Sequence, residues 1–271
     1  MDHRRTAGKF YTPRPVVQYI VRQTFDWLRH EGRADHDLRI LEPACGEGIF
    51  LLEAHRYLMA DASFRGRSPE QVLRSNLYGI DRDPQAVMKT RQVLAAEVAA
   101  NDQERQQLEI SLAQNIRCGD ALVDCDFETK SLLPSVVQSL GGGFDAVIGN
   151  PPYVNIRLLT QHYGEMVKDY LRQHFRCASG AYDLYVLFFE LALRLLRPGG
   201  VCGMIVPNKL ATLDYARVCR SMLLQETTLL QITDLSRCRV FPHAGVYPYI
   251  VIWQKKLNQA ISGKIYFTGL A

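Results

Sequence analysis

The feature that most constrains this 271-residue chain is an alternation of short apolar runs with amphipathic stretches. "LRIL" (38–41), "LYGI" (77–80), "FDAVIG" (144–149), "VCGMIV" (201–206) and "YPYIVIW" (247–253) are bounded by glycine, proline or polar residues and read as strands. "NIRC" (115–118) and "LLQITDL" (229–235) are weaker candidates. Between these runs the apolar spacing turns helical. Val17, Ile20, Val21 and Leu28 make one stripe, with Thr12 as N-cap and Pro13 in the first turn. Over 183–197 the polar residues Asp183, Glu190, Arg194 and Arg197 fall seven, four and three apart. That spacing predicts a narrow wet face on an otherwise buried helix, closed by "RPGG". Strands alternating with such helices predict a mostly parallel sheet covered on both faces.

Composition narrows the class. With 47% hydrophobic and 22% charged residues the chain can bury a sizeable core. No apolar stretch approaches the ~18 to 20 residues of a membrane span, and "MDHRRTAGKF" leads into no signal-peptide core. The seven cysteines include no CxxC pair and no histidine at zinc spacing. A reduced, cytoplasmic chain without a structural metal or membrane anchor is expected. A formal charge of +4 permits a nucleic-acid partner without arguing for one.

Two loops carry the chemistry. In "ILEPACGEGIFLLEA", Gly46 and Gly48 stand between a strand and a leucine-rich helix, where backbone approaches a ligand closely and the helix start offers free N–H groups. A dinucleotide fingerprint wants a third glycine three residues after Gly48, and Leu51 stands there. Glu42 at the start of the loop suits a cationic head better than a pyrophosphate. S-adenosylmethionine, with an ammonium and a sulfonium, fits. Asp81 in "LYGIDRDP" ends the next strand and is placed to accept ribose hydroxyls, while Asp83 before Pro84 reads as a helix N-cap. Asp120 in "CGDAL" follows the third candidate strand and reads either as an acceptor for an adenine amino group or as a turn aspartate.

The second loop is "GNPPYV". Pro151 and Pro152 remove two backbone donors and fix two φ angles, so neither strand nor helix continues past Gly149. The turn falls at the carboxyl end of an apolar run, where open α/β sheets bind ligands.

The ordered blocks "KFYTPRPVVQYIV", "LEPACGEGIF", "LYGIDRDP", "CGDAL", "GNPPYV", "YDLYVLFFELALRLLRPGG", "MIVPNKL" and "VFPHAGVYPYIVIW" resemble the gamma-class N6-adenine DNA methyltransferases of restriction–modification systems. The likeness is greatest to the methylase domain of type IIG-like enzymes and runs from Lys9 to Trp253. It implies a Rossmann-like α/β fold: seven mostly parallel strands with one antiparallel, helices on both faces, and "YPYIVIW" as the antiparallel strand. It places Tyr11 and Thr12 at the methionine end of the cofactor. Glu42, Ala44 and Gly46 fall in the glycine loop, Asp81 and Arg82 at ribose and adenine, and Asp120 and Ala121 at the cofactor-adenine edge. Asn150, Pro151 and Tyr153 match the catalytic motif, and Phe241 an aromatic that closes over the target base.

The implied chemistry is methyl transfer from S-adenosylmethionine to N6 of a flipped-out adenine. Asn150 and the Pro151 carbonyl accept the N6 hydrogens, Pro152 stiffens the turn, and Tyr153 with Phe241 stacks the base. A protein glutamine N5-methyltransferase also uses an "NPPY" turn. A catalytically idle DNA-binding scaffold is the rival of another class. Arg157, Lys168, Arg172 and Arg176, set against Glu165 and Asp169, read equally as a phosphate-tracking stretch or a solvated helix face. The expected organisation is a single catalytic domain over 1–271, with 1–36 as a helical segment covering the cofactor. Double-stranded DNA is the expected partner, with target recognition supplied by a domain or subunit outside this chain.

Overall fold

The computed structural model describes residues 11–30, 38–123, 143–158, 164–241, 246–257 and 266–269. It divides into two compact units, one of Arg14–Gly149 and one of Met1–Pro13 with Asn150–Ala271. Of the expected N-terminal covering segment, 1–10 and 31–37 lie outside the described residues. The "HAG" within "VFPHAGVYPYIVIW", together with Pro242, does so too.

The Arg14–Gly149 unit holds helix α1 (Arg14–His30), strand β1 (Ile40–Glu42), α2 (Ile49–Ala60), α3 (Pro69–Asn76) and β2 (Leu77–Asp81). There follow α4 (Pro84–Val98), α5 (Asp102–Leu112), β3 (Ile116–Cys118) and β4 (Phe144–Gly149). Its strands run in the order β3-β2-β1-β4, with β1 parallel to both β2 and β4, and β2 parallel to β3. Every residue of β4 is buried, as continuous apolar runs in a parallel sheet require. The α1 stripe packs inward, with Val17, Ile20, Val21 and Leu28 no more than 1% exposed. Burying four such side chains contributes roughly 1.5 to 3 kcal/mol each. Glu53 on α2, almost wholly buried, fixes the start of α1 by accepting from Arg14 Nε at 2.7 Å and Gln18 Nε2 at 2.8 Å. The helix begins at Arg14, after both Thr12 and Pro13. Asp83 caps α4 as expected, its side chain accepting from Gln85 N–H at 3.0 Å.

The second unit holds α6 (Glu165–His174), α7 (Tyr185–Leu195), β5 (Leu196–Pro207), α8 (Lys209–Thr212), α9 (Arg217–Glu226), β6 (Thr227–Asp234), β7 (Pro248–Lys255) and β8 (Tyr266–Gly269). Its strands run β5-β7-β6-β8. The "YPYIVIW" strand, β7, is antiparallel to both neighbours, as expected. β8 pairs parallel with β6 and is an element the sequence reading did not anticipate.

The wet face expected on 183–197 holds only in part: Arg194 is exposed and Arg197 half-buried, but the two acids turn inward. Glu190 has 0% exposure, and Asp183 only 9%. Glu190 accepts the backbone N–H groups of Arg176 at 3.1 Å and Cys177 at 2.9 Å, and pairs with Arg194. Burial pushes its carboxyl up, but those two N–H donors and the Arg194 guanidinium outweigh it and hold the pKa below the ordinary value. The acid closes the loop before α7 from inside. "RPGG" belongs to β5 and does not end the helix as a loop. Among the described residues no helix is long and apolar enough to cross a membrane.

Candidate active site

The glycine loop is shaped by short backbone bonds. Cys45 N–H donates to Ile80 O at 2.9 Å and Gly48 N–H to Cys45 O at 2.8 Å, folding the loop back on the end of β2. Gly46 N–H donates to Asp81 Oδ2 at 2.8 Å, and the Thr90 hydroxyl donates to Gly46 O at 2.7 Å. Gly48 caps α2 with φ of 84°, and a Cβ there would meet Thr90 Cγ2 at 2.7 Å. Only glycine meets both demands.

Asp81 does more than the sequence suggested. Besides Gly46, its carboxylate accepts Asp83 N–H on Oδ1 at 2.9 Å, so it anchors the ends of two loops. A carboxylate oxygen can accept two hydrogen bonds, which leaves capacity for a ligand hydroxyl. Arg82 and Asp120, both expected at the adenine edge, meet each other, Nε to Oδ2 at 3.2 Å. Asp120 Oδ1 accepts Leu122 N–H at 2.9 Å. Burial raises the Asp120 pKa although that N–H and Arg82 oppose it. Ala121 beside it is buried, while Ala44 and Gly46 are half-buried.

Glu42 is the unusual group. It is 2% exposed, and its Oε2 has no hydrogen-bond partner among the described residues. A Cβ on Gly149, whose φ is 149°, would come within 3.3 Å of Glu42 Cγ, so β4 must end in glycine to admit this side chain. Burial, and then the charge of Asp81, push the Glu42 carboxyl well above the ordinary 4.5, against the lowering effect of Leu51 N–H. A buried acid with an orphaned oxygen beside a second acid fits a ligand with a cationic head.

The Asn150 turn is held by side chains distant in sequence. Asn150 Nδ2 donates to Thr12 Oγ1 at 3.0 Å, across 138 positions. Thr12 is 2% exposed, and Tyr11 beside it 72%. Pro151 is buried and Pro152 half-buried. Val154 and Ile156 clamp the turn through Leu184 N–H to Val154 O at 2.8 Å and Ile156 N–H to Tyr182 O at 2.9 Å. Asn155 Nδ2 donates to Asp183 Oδ1 at 2.9 Å, and Tyr215 donates to Asp183 Oδ2 at 3.0 Å. The Tyr215 and Tyr185 hydroxyls lie 2.9 Å apart. Tyr185 in turn meets the Tyr153 ring edge-on, centroids 6.3 Å apart.

Tyr153 donates its hydroxyl to Ile205 O at 3.0 Å. Burial pushes that phenol well above its ordinary pKa, so it stays protonated and is no general base. Phe241, 7% exposed, stands 6.3 Å from Tyr153 at 79°. The two rings meet edge to face in this arrangement and are not parallel.

Asp183, Tyr215 and the Thr12–Asn150 bond escaped the sequence reading. The available signal was "YDLY", whose polar residue lies one turn ahead of a buried helix. The spacing of Asp183 with Glu190 instead points to a wet helix face.

The Eco57I restriction-modification methylase family model matches residues 75–241. The chain is 23% identical to the type II restriction enzyme and methyltransferase RM.Eco57I of Escherichia coli, over 93% of this chain and 28% of that protein. It is 25% identical to the adenine-specific methyltransferase PglX of Streptomyces coelicolor, over 74% of this chain and 19% of that protein. It spans less than half the length of the restriction–modification methyltransferases it matches. A solved structure from Listeria monocytogenes, described as a class I S-adenosylmethionine-dependent methyltransferase, superposes with a TM-score of 0.62 at 16% identity. That match covers 96% of this chain and 65% of the other. The fold is therefore that of the class I methyltransferases, and by the family match across most of its length the chain belongs to the Eco57I restriction-modification methylase family.

Proposed function

We propose that this chain transfers a methyl group from S-adenosylmethionine to N6 of an adenine drawn out of duplex DNA, as the modification activity of a restriction–modification system. The Thr12–Asn150 hydrogen bond carries the reading. It commits the amide nitrogen of Asn150 and turns Oδ1 into the acceptor for an N6 hydrogen. Adenine N6 is a poor nucleophile because its lone pair is delocalised into the ring. Asn150 Oδ1 and the Pro151 carbonyl, each taking one N6–H, localise that pair on nitrogen. Pro151 and Pro152 hold the carbonyl at little reorganisation cost.

S-adenosylmethionine, when bound, supplies an electrophilic methyl on a sulfonium that departs as a thioether. Glu42 would face the cationic end of that ligand, Asp81 would accept a ribose hydroxyl while holding Gly46, and Asp120 with Arg82 and Ala121 would border the cofactor's adenine. Tyr11 and Thr12 border the methionine end. The new bond uses the N6 electron pair, and the N6 proton is lost to water once nitrogen carries the methyl. No tuned side-chain base is needed, in keeping with the protonated Tyr153. The extruded base stacks on Tyr153, and Phe241 closes on it by turning from its edge-on position. The adenine-specific activity named for PglX supports adenine as the target.

The test is incubation of the chain with methyl-labelled S-adenosylmethionine and either duplex DNA or a protein extract, followed by nucleoside and amino-acid analysis. N6-methyladenine is the expected product. Label in glutamine, or in cytosine, would replace this reading.

A further inference from the structure

Beside the Asn150 turn lies an open cavity of about 640 Å3, lined by Arg157, Lys168, Arg172, Glu165, Gly164 and Gly180 among others. The geometry points to a docking groove for the DNA phosphate backbone next to the extruded base. This deepens the methyltransferase reading and rests on it.

Three observations carry the assignment. First, charge: three cations face the cavity against one acid, and Glu165 is already paired with Lys168 at 2.7 Å. Arg157 and Arg172 are exposed and make no ion pair among the described residues. Two guanidinium groups on one concavity, left without carboxylates, suit bidentate contact with phosphate oxygens.

Second, the groove is tied to the turn. Arg157 stands four positions after Tyr153, and its N–H donates to Asn155 Oδ1 at 3.1 Å. Asn155 is itself bonded to Asp183, and buried Ile156 to the Tyr182 carbonyl. A phosphate held by Arg157 is thus placed at a fixed distance from the turn that reads the base.

Third, two of the lining residues are glycines. α6 begins at Glu165 with Gly164 as an N-cap that has no side chain to bond the first-turn N–H groups, which lie at the positive end of the helix. Gly164 and Gly180 each have open space where a Cβ would stand. A polyanion can approach the backbone there.

The experiment measures anisotropy of a labelled short duplex against the full chain over a range of salt, with methylation of the same DNA in parallel. Neutralising both arginines, Arg157→Gln with Arg172→Gln, is expected to lower the slope of log affinity against log salt by about 1.8, at ~0.9 per phosphate contact. Cofactor affinity should not change. Arg157→Lys with Arg172→Lys should recover most of the slope, because a phosphate needs the charge. A slope and affinity equal to wild type in the glutamine variant, while wild type still methylates DNA, overturns the groove and leaves the methyltransferase reading standing. Failure of the lysine variant to restore the slope overturns it as well, by showing that fold and not charge was lost. No duplex binding by wild type at any salt overturns both.

Discussion

The glycine loop and the Asn150 turn both sit at strand ends, yet they are held in opposite ways. Around the loop the acids are fixed by backbone N–H groups: Asp81 by Gly46 and Asp83, Asp120 by Leu122. One acid, Glu42, is left with an orphaned oxygen. In the turn, prolines replace backbone donors, and orientation comes from side chains far along the chain: Thr12 on Asn150, Asp183 on Asn155, Tyr215 on Asp183. On the proposed function, the loop would bind the cofactor through acids held by backbone N–H groups, and the turn would aim its two acceptors through long-range side-chain contacts. Substitutions should therefore separate binding from rate.

The largest expected effect is on rate. Asn150→Ala should lower kcat on the order of 10²- to 10³-fold, the usual cost of one preorganised hydrogen-bonding group, with cofactor affinity close to wild type by calorimetry. Near-normal turnover would make the turn merely structural and erase the contrast. Next comes binding. Asp81→Ala should weaken S-adenosylmethionine by about 1.5 to 3 kcal/mol for a lost hydrogen bond to a charged group. Because Asp81 also anchors Gly46 and Asp83, Asp81→Asn should recover only part of the loss: an amide supplies one acceptor where the carboxylate used two. Full recovery by asparagine would show that the loops do not depend on it.

Thr12→Val probes the long-range arm. The hydroxyl accepts from Asn150 and acts only by orienting it, so the expected cost is that of one ordinary hydrogen bond, about 0.5 to 1.5 kcal/mol. It should appear as a several-fold fall in kcat with KM for the cofactor unchanged. A rise in cofactor KM instead would show that the Thr12 hydroxyl serves the methionine end of the ligand and not Asn150.

The same contrast explains what was legible. The strands, the mostly parallel sheet, the capping Asp83 and the glycines of the loop are signalled by residues within a few positions of one another, so pattern reading reached them, whereas the antiparallel β7 came from the family resemblance. Glu190 was missed for a physical reason. Charged residues three and four apart look alike whether they face water or, as here, turn inward to satisfy Arg176 and Cys177 N–H groups. Thr12 was read as a helix cap because a hydroxyl before Pro13 is the local signal. Its partner is 138 positions away and leaves no trace in the neighbourhood. β8 rests on pairing with β6, again a distant choice.

The smallest and most discriminating effect concerns stability. Glu42 has its folded-state pKa raised above 4.5 by burial and by Asp81. The folded chain therefore holds this proton more tightly than the unfolded chain does. The unliganded protein is favoured by this group at pH below 4.5, and loses that contribution as pH rises from there toward the folded-state pKa. Glu42→Gln removes the ionisation while keeping the shape. The variant should melt higher than wild type, with a Tm gap that is small in acid and widens toward neutral pH, by about 2 to 4 °C for each kcal/mol at this chain length. Saturating S-adenosylmethionine should shrink or reverse the gap, since only the carboxylate gains from a cationic ligand. A gap independent of pH would mean Glu42 titrates normally, and the strained acid that distinguishes the loop from the turn would not exist. A gap that widens with pH but ignores the cofactor would keep the strain and deny it the cation.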